Sequence, residues 1–225
     1  MSHFLLRIVE IKMECGQYIP FKPFHVDLPD DSSGCSFLLL GSTRSGKSTL
    51  QNYIYYRYFS SHISCVHTFS PQARIYTGIK KGTVFCEDYE PKLIEATYEI
   101  NKKTKNHYKF AHFIDDVVGK RQDPTLIKLL TVMRNSRISA LITGQELSIF
   151  NNIARSNINF VCLMFLNSDA AIKKAVESYL RTYFPSDMSI TDCMKAYKEM
   201  TADHHFIFIN NLTGEVYRTK LSMKQ

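Results

Sequence analysis

Gly41-Ser42-Thr43-Arg44-Ser45-Gly46-Lys47-Ser48-Thr49 is preceded by the apolar run Ser36-Phe37-Leu38-Leu39-Leu40 and followed by Leu50-Gln51-Asn52-Tyr53-Ile54-Tyr55-Tyr56. The stretch matches the spacing G-x-x-x-x-G-K-[ST], and its flanks predict a strand before it and a helix after it. Small residues let the loop backbone curl until successive N–H groups point inward, so the loop and the helix N-terminus can together hold a polyphosphate. Lys47 is expected to reach the terminal phosphates and the Ser48 hydroxyl to sit on Mg²⁺. The bland alternative is a Gly/Ser surface turn that ends in Lys-Ser; a strand on one side and a helix on the other argue against it.

Downstream, Phe110-Ala111-His112-Phe113-Ile114-Asp115-Asp116 reads as an apolar strand ending in two carboxylates. Enzymes with this phosphate loop carry an acid that orients Mg²⁺ at the end of such a strand, expected here beside the phosphate-loop strand. That gives Asp115 the Mg²⁺ shell and gives Asp116 the polarising of an attacking water, a task that requires hydrogen-bond reach of the proton. The competing reading is that the pair caps the next segment. Gln145 ends the next strand, Ser139 to Gln145, where a neutral amide would touch both a terminal phosphate and the lytic water as a sensor. Arg134, Arg137 and Arg155 are the candidates for stabilising charge on a transferring phosphoryl group, from the same chain or a neighbouring subunit. For each of them a surface salt bridge or a DNA-backbone contact competes. The basic segment Lys102 to Lys109 suits phosphate contacts and a solvated helix end equally well. The cluster Tyr53, Tyr55, Tyr56, Tyr58 and Phe59 fits core packing or a subunit contact better than base stacking.

The rest of the chain alternates strands with helices. Further strands are expected at Phe4 to Lys12, Ile63 to Phe69, Thr83 to Cys86 and Ile158 to Leu166, and helices at Pro91 to Lys105, Thr125 to Arg134, Ser168 to Tyr183 and Ser189 to Met200. A loop is expected between Gln145 and Asn157. His205 to Ile209 and Glu215 to Arg218, joined by the Asn210–Gly214 turn, read as a hairpin at a sheet edge. No repeat, low-complexity linker or internal boundary is visible, so 1–225 is expected to be one domain, with an N-terminal edge strand in 1–30 and the C-terminal hairpin 204–220 as appendages. The class is α/β with a mainly parallel central sheet, whose ligand site lies at the strand C-terminal ends.

Composition narrows the partners. Of 225 residues, 44% are hydrophobic and 22% charged, enough to bury a core and unlike the disordered or membrane classes. The longest wholly apolar run, Phe160 to Leu166, is far too short to cross a bilayer, so no membrane insertion is expected. Met1 to Glu10 lacks the basic flank and cleavage site of a signal peptide, and an intracellular protein is expected. The six cysteines form no CxxC pair and are expected to be buried free thiols. Cys193, His204 and His205 fit no standard zinc spacing. A formal charge of +7 suits a polyanionic partner.

Taken in order, these pieces resemble the FtsK/HerA superfamily of DNA-pumping ATPases, and within it the poxvirus-type genome-packaging ATPases of large DNA viruses. The resemblance runs from about Phe37 to Phe165 and is carried by Gly41 to Thr49, Phe113 to Asp116, Arg134 to Gln145, and Ile153-Ala154-Arg155-Ser156-Asn157. It departs at Asp116, where FtsK and HerA usually carry Glu, at Met133, where the family tends to have Gly, and at Gly144, where it tends to have Thr. The fold it implies is a P-loop NTPase of the RecA/FtsK-like kind. The resemblance also implies an ATP hydrolase that uses Mg²⁺ and pushes double-stranded DNA, without strong sequence preference, into a preformed capsid. It implies a homo-oligomeric ring docked on a capsid or portal vertex inside the host cell, with virion association as a further expectation. In such a ring Arg134 or Arg155 of one subunit would complete the next subunit's ATP site. A small-molecule P-loop kinase is the alternative, although no Arg-rich lid is evident. A nucleotide-dependent switch is another: Asp116-Val117-Val118-Gly119 matches D-x-x-G, yet no Asn-Lys-x-Asp motif appears.

Overall fold

A strand that is apolar at every position needs cover on both faces, and the chain meets that need with a sheet between two helical layers. The structure is a computed structural model; it describes residues 19–29, 32–68, 82–115, 123–147 and 150–221. In chain order the elements are β1 (Ser36–Leu40), α1 (Lys47–Ile54), β2 (Ile63–His67), β3 (Val84–Cys86), α2 (Pro91–Lys103), β4 (Phe110–Ile114) and α3 (Pro124–Thr131). They continue with β5 (Ile138–Gly144), α4 (Asn152–Ser156), β6 (Phe160–Leu163), α5 (Asp169–Ala175), α6 (Ile190–Met200), β7 (Phe206–Asn210) and β8 (Glu215–Thr219). Among the described residues the sheet has eight strands in the order β3-β2-β4-β5-β1-β6-β7-β8. It is parallel from β3 to β6, and antiparallel where β7 joins β6 and β8 joins β7.

Side chains alternate across β1 with the period of two that a strand imposes. Phe37 and Leu39 pack with Leu50, Ile54 and Phe59 on the α1 face; Leu38 and Leu40 pack with Leu130, Val176 and Tyr197 on the face covered by α2, α3, α5 and α6. Local chemistry starts the helices. Asp123 caps α3, its Oδ1 accepting from the N–H groups of Thr125 (2.8 Å) and Leu126 (3.0 Å); Glu90, Asn151, Ser168 and Ser189 cap α2, α4, α5 and α6. Among the described α-helices only α1 begins without a side-chain cap: Gly46, at φ 100°, precedes it. No side chain closes this first turn, the end of a helix that suits an anion.

Four expectations are corrected. β4 does not lie beside β1; β5 is inserted between them, because strand order depends on long-range packing that the two motifs do not encode. The expected loop before Asn157 contains α4, which Asn151 initiates by accepting from Ala154 N–H at 2.7 Å. The third helix stops at Thr131, and Arg134 falls in a tight 3₁₀ turn, Met133–Ser136, ended by Arg137 at φ 57°. The long helix from Ser168 is regular only to Ala175 and widens to a π turn at Val176–Leu180. The expected strand at Phe4 to Lys12 lies outside the described residues; Pro20 to Lys22 run beside β8, where Phe21 bridges Arg218.

Candidate active site

The phosphate loop is held from both sides. Gly41 N–H donates to Gly144 O (3.0 Å) at the end of β5, and Ser42 N–H donates to Phe165 O (2.8 Å) beyond β6. The Ser42 hydroxyl accepts from Asn167 N–H at 2.8 Å. A Cβ at Gly41 would stand 2.4 Å from Ser45 Oγ and 2.9 Å from Met164 Cβ, so only glycine lets the loop close this tightly. Lys47 Nζ donates to Gly41 O at 2.6 Å and to Ser42 O at 3.0 Å, which folds the ammonium back over the loop.

Asp115, at the tip of β4, is aimed by its neighbours. Its Oδ1 accepts from Thr143 Oγ1 at 2.5 Å, its Oδ2 from Thr68 Oγ1 at 3.5 Å, and its own N–H donates to His67 O at 2.9 Å. Gln145 follows β5, and because β5 separates β1 from β4, its position in the chain lies between the phosphate loop and Asp115. One cleft of about 750 Å³ is lined by Thr43 to Thr49, Asp115 and Gln145. Asp116 lies outside the described residues. Sequence reasoning missed Thr143 and Thr68; a lone Thr in the otherwise apolar Ala140-Leu141-Ile142 run was the available signal. It also missed Met164, His204, Phe206, Lys220 and Leu221, which line the far side of the cleft and carry no motif.

Arg134, Arg137 and Arg155 are not brought to this cleft. Arg134 precedes β5 and Arg155 precedes β6, at the opposite pole of the sheet. With a rise of about 3.3 Å per residue, the seven residues of β5 put Arg134 roughly 23 Å from the Gln145 end. Among the described residues no side chain or carbonyl binds the Arg134 guanidinium. Arg155 is tied to Asn152 and, at 3.2 Å, to Ser178 Oγ, and lines a smaller cleft of about 510 Å³ with Tyr179 and Asn211. Arg137 Nη1 donates to the carbonyls of Asn106 and His107, both at 3.2 Å. Lys102 pairs with Glu99 at 3.1 Å on the exposed end of α2. Tyr55 and Phe59 are core; Tyr53 and Tyr56 are exposed.

Behind Asp115 is a buried chain of polar groups. Glu90 N–H donates to His67 Nδ1 (3.2 Å), His67 Nε2 meets His112 Nδ1 (3.1 Å), and His112 Nε2 meets Thr97 Oγ1 (2.9 Å), whose hydroxyl donates to Ile94 O (2.8 Å). A backbone N–H can only donate, so each ring carries its hydrogen on Nε2 and both are neutral. Burial pulls His67 down to about 4 against the raising effect of Glu90; burial, then the neighbouring His67, pulls His112 down to about 3. Burial alone drives Cys162 far up, and burial takes Cys35 to about 12 and Cys65 to about 11; these thiols are inert core groups. Among the described residues no cluster of three His, Cys, Asp or Glu could hold a metal, and no helix is long and apolar enough to cross a membrane.

A strand, glycine loop and uncapped helix at the centre of a mainly parallel sheet define the P-loop ATPase fold. Solved structures carry the same fold. The chain is 13% identical to the genome packaging NTPase B204 from Sulfolobus turreted icosahedral virus 2 in complex with sulfate, with a TM-score of 0.61 over 86% of this chain and 98% of that one. The ATP-gammaS complex of the same NTPase gives 11% identity and a TM-score of 0.57, covering 85% and 98%. The pCW3 conjugation coupling protein TcpA, in its monomer form with ATPγS, gives 15% identity and a TM-score of 0.60 over 84% of this chain and 60% of that one. No family model matches the sequence, and no curated protein matches it. The P-loop fold expected from the resemblance is the fold observed.

Proposed function

We propose that this chain is an ATP-driven motor that moves double-stranded DNA into a preformed capsid. The observation that carries the proposal is the convergence of Lys47, Ser48, Asp115 and Gln145 on one cleft at the uncapped start of α1. The N–H groups of Gly41 to Thr49 would hold the phosphates, and Lys47 would leave the loop carbonyls for the terminal ones. The Ser48 hydroxyl and the Asp115 carboxylate are hard oxygen donors that suit Mg²⁺, an ion that needs few protein ligands. Mg²⁺ would supply charge neutralisation on the phosphate oxygens there. Asp116 would polarise the attacking water, and Gln145 would sense the terminal phosphate. The likeness in fold to B204, a genome packaging NTPase solved with ATP-gammaS, supports the nucleotide and genome-packaging parts of the reading.

Arg134 and Arg155 sit too far from their own cleft to serve it, which supports action across a head-to-tail contact in a ring. Arg134, whose guanidinium meets no described partner, is better suited to reach a neighbour than Arg155, which Asn152 and Ser178 hold. Val132, Ile153 and Leu212 are exposed on the same pole, the apolar surface a subunit contact would cover. DNA would be held through its phosphates by the basic chain. ATP hydrolysis measured at low salt with and without long double-stranded DNA tests the proposal. DNA should stimulate turnover and Lys47→Ala should abolish it; turnover that ignores DNA and needs a small acceptor points instead to a kinase.

A further inference from the structure

The turn that joins α2 to β4 is pinned more firmly than a connection between two elements requires. Asn101, fully buried, donates from Nδ2 to Ser136 O (2.5 Å) and Tyr108 O (2.9 Å) and accepts from Tyr108 N–H at 3.2 Å. Asn106 Nδ2 donates to Asn135 O at 3.3 Å, and Arg137, just before β5, holds the Asn106 and His107 carbonyls. A helix end that only met water could fray; this one is clamped to the entry of β5. Its backbone is also strained. Lys105 and Asn106 stand at φ 51° and 59°, the conformation for which helix ends commonly use glycine. Lysine there gives up backbone ease and keeps a charged side chain that glycine lacks.

What the clamped turn presents to solvent is cationic. Lys102, Lys103, Lys105 and His107 are exposed, and Tyr108 is 40% exposed. Lys102 pairs with Glu99 at 3.1 Å, whereas Lys103 and Lys105 pair with no carboxylate among the described residues. Ammonium groups and a phenol on a fixed frame suit phosphate oxygens and carry no pattern that reads base edges. We infer that the α2–β4 turn is a contact for the backbone of double-stranded DNA, with Lys103 and Lys105 each on a phosphate and the Tyr108 hydroxyl donating to another. The inference rests on the motor reading above and adds where the duplex is held. From Lys109 to Asp115 the chain is extended, so at about 3.3 Å per residue the duplex would lie roughly 20 Å from the nucleotide cleft. β5 and β1 separate β4 from β6, which leaves the turn clear of Arg155.

Affinity for a fluorescently labelled duplex, measured between about 50 and 200 mM salt, tests this on three proteins: the wild type, Lys103→Ala/Lys105→Ala, and Lys173→Ala/Lys195→Ala. The last removes the same charge from α5 and α6, and all four lysines are exposed, so the packed core stays intact. Each phosphate contact contributes about 0.9 to the slope of log affinity against log salt. The turn variant should therefore bind more weakly with a slope shallower by about 2, and the α5/α6 variant should match the wild type. An unchanged slope in the turn variant, or an equal change in the α5/α6 variant, overturns the contact. So does polyglutamate that binds the wild type and is lost by the turn variant while DNA binding holds, since the turn then serves an acidic protein. The motor reading fails separately if the wild type binds no duplex at any of these salt concentrations.

Discussion

Asp115 shows how much of a candidate catalytic residue lies outside the residue itself. Its carboxylate is oriented by the hydroxyl of Thr143, fully buried in β5, and by that of Thr68 beyond β2. Removing such a partner of a metal-binding carboxylate costs typically about 10- to 100-fold in metal affinity or activity. Thr143→Val should thus lower turnover within that range and raise the Mg²⁺ concentration needed for half-maximal rate, while ATP binding without metal stays close to wild type; a Mg²⁺ titration of the ATPase rate checks this. Asp115 was legible in the sequence because an apolar run ending in carboxylates is a local pattern. Thr143 was not, since its role depends on β5 lying next to β4. The loop from Gly41 to Thr49 was legible in full for the same reason as Asp115.

Elements β2, β4 and α2 are joined inside the molecule by His67, His112 and Thr97, a junction that composition could not reveal. Both imidazoles titrate below their ordinary value when folded, and an unfolded chain returns them to about 6.5. As the pH falls through that value the unfolded state takes up protons first, so stability is complete above it and declines as the pH drops toward 4. A proton on His67 Nδ1 would also face the Glu90 N–H, and one on His112 Nδ1 would face the His67 Nε2–H. The melting temperature should therefore fall between pH 7 and pH 5. His112→Gln should melt lower at pH 7 and show a shallower decline, which thermal unfolding across that range measures. At this scale most strands and helices were legible from periodicity and capping residues. The α4 turn was hidden by its brevity, and the π turn after α5 by the absence of any glycine or proline to mark it.

Across the whole molecule the two poles of the sheet carry different halves of the proposed machinery: the loop, Asp115 and Gln145 at one, Arg134 and Arg155 at the other. Neither pole is complete alone if the ring reading holds. Lys47→Ala and Arg134→Ala proteins, each inactive, should recover part of the DNA-stimulated ATPase when mixed, because an intact Arg134 from one would face an intact loop of the other. Absence of recovery at concentrations that support wild-type activity argues for a self-contained site. Strand order was the part of the global fold least visible in the chain, since nothing local says that β5 separates the two motif-bearing strands. That order also has a mechanical consequence. β1 is bonded on both sides, to β5 and β6, so a pull delivered at the nucleotide loop spreads through two ladders at once. The stiff centre of the sheet therefore sits under the loop, while the three-residue β3 and the terminal hairpin are the compliant margins where strain would first be relieved.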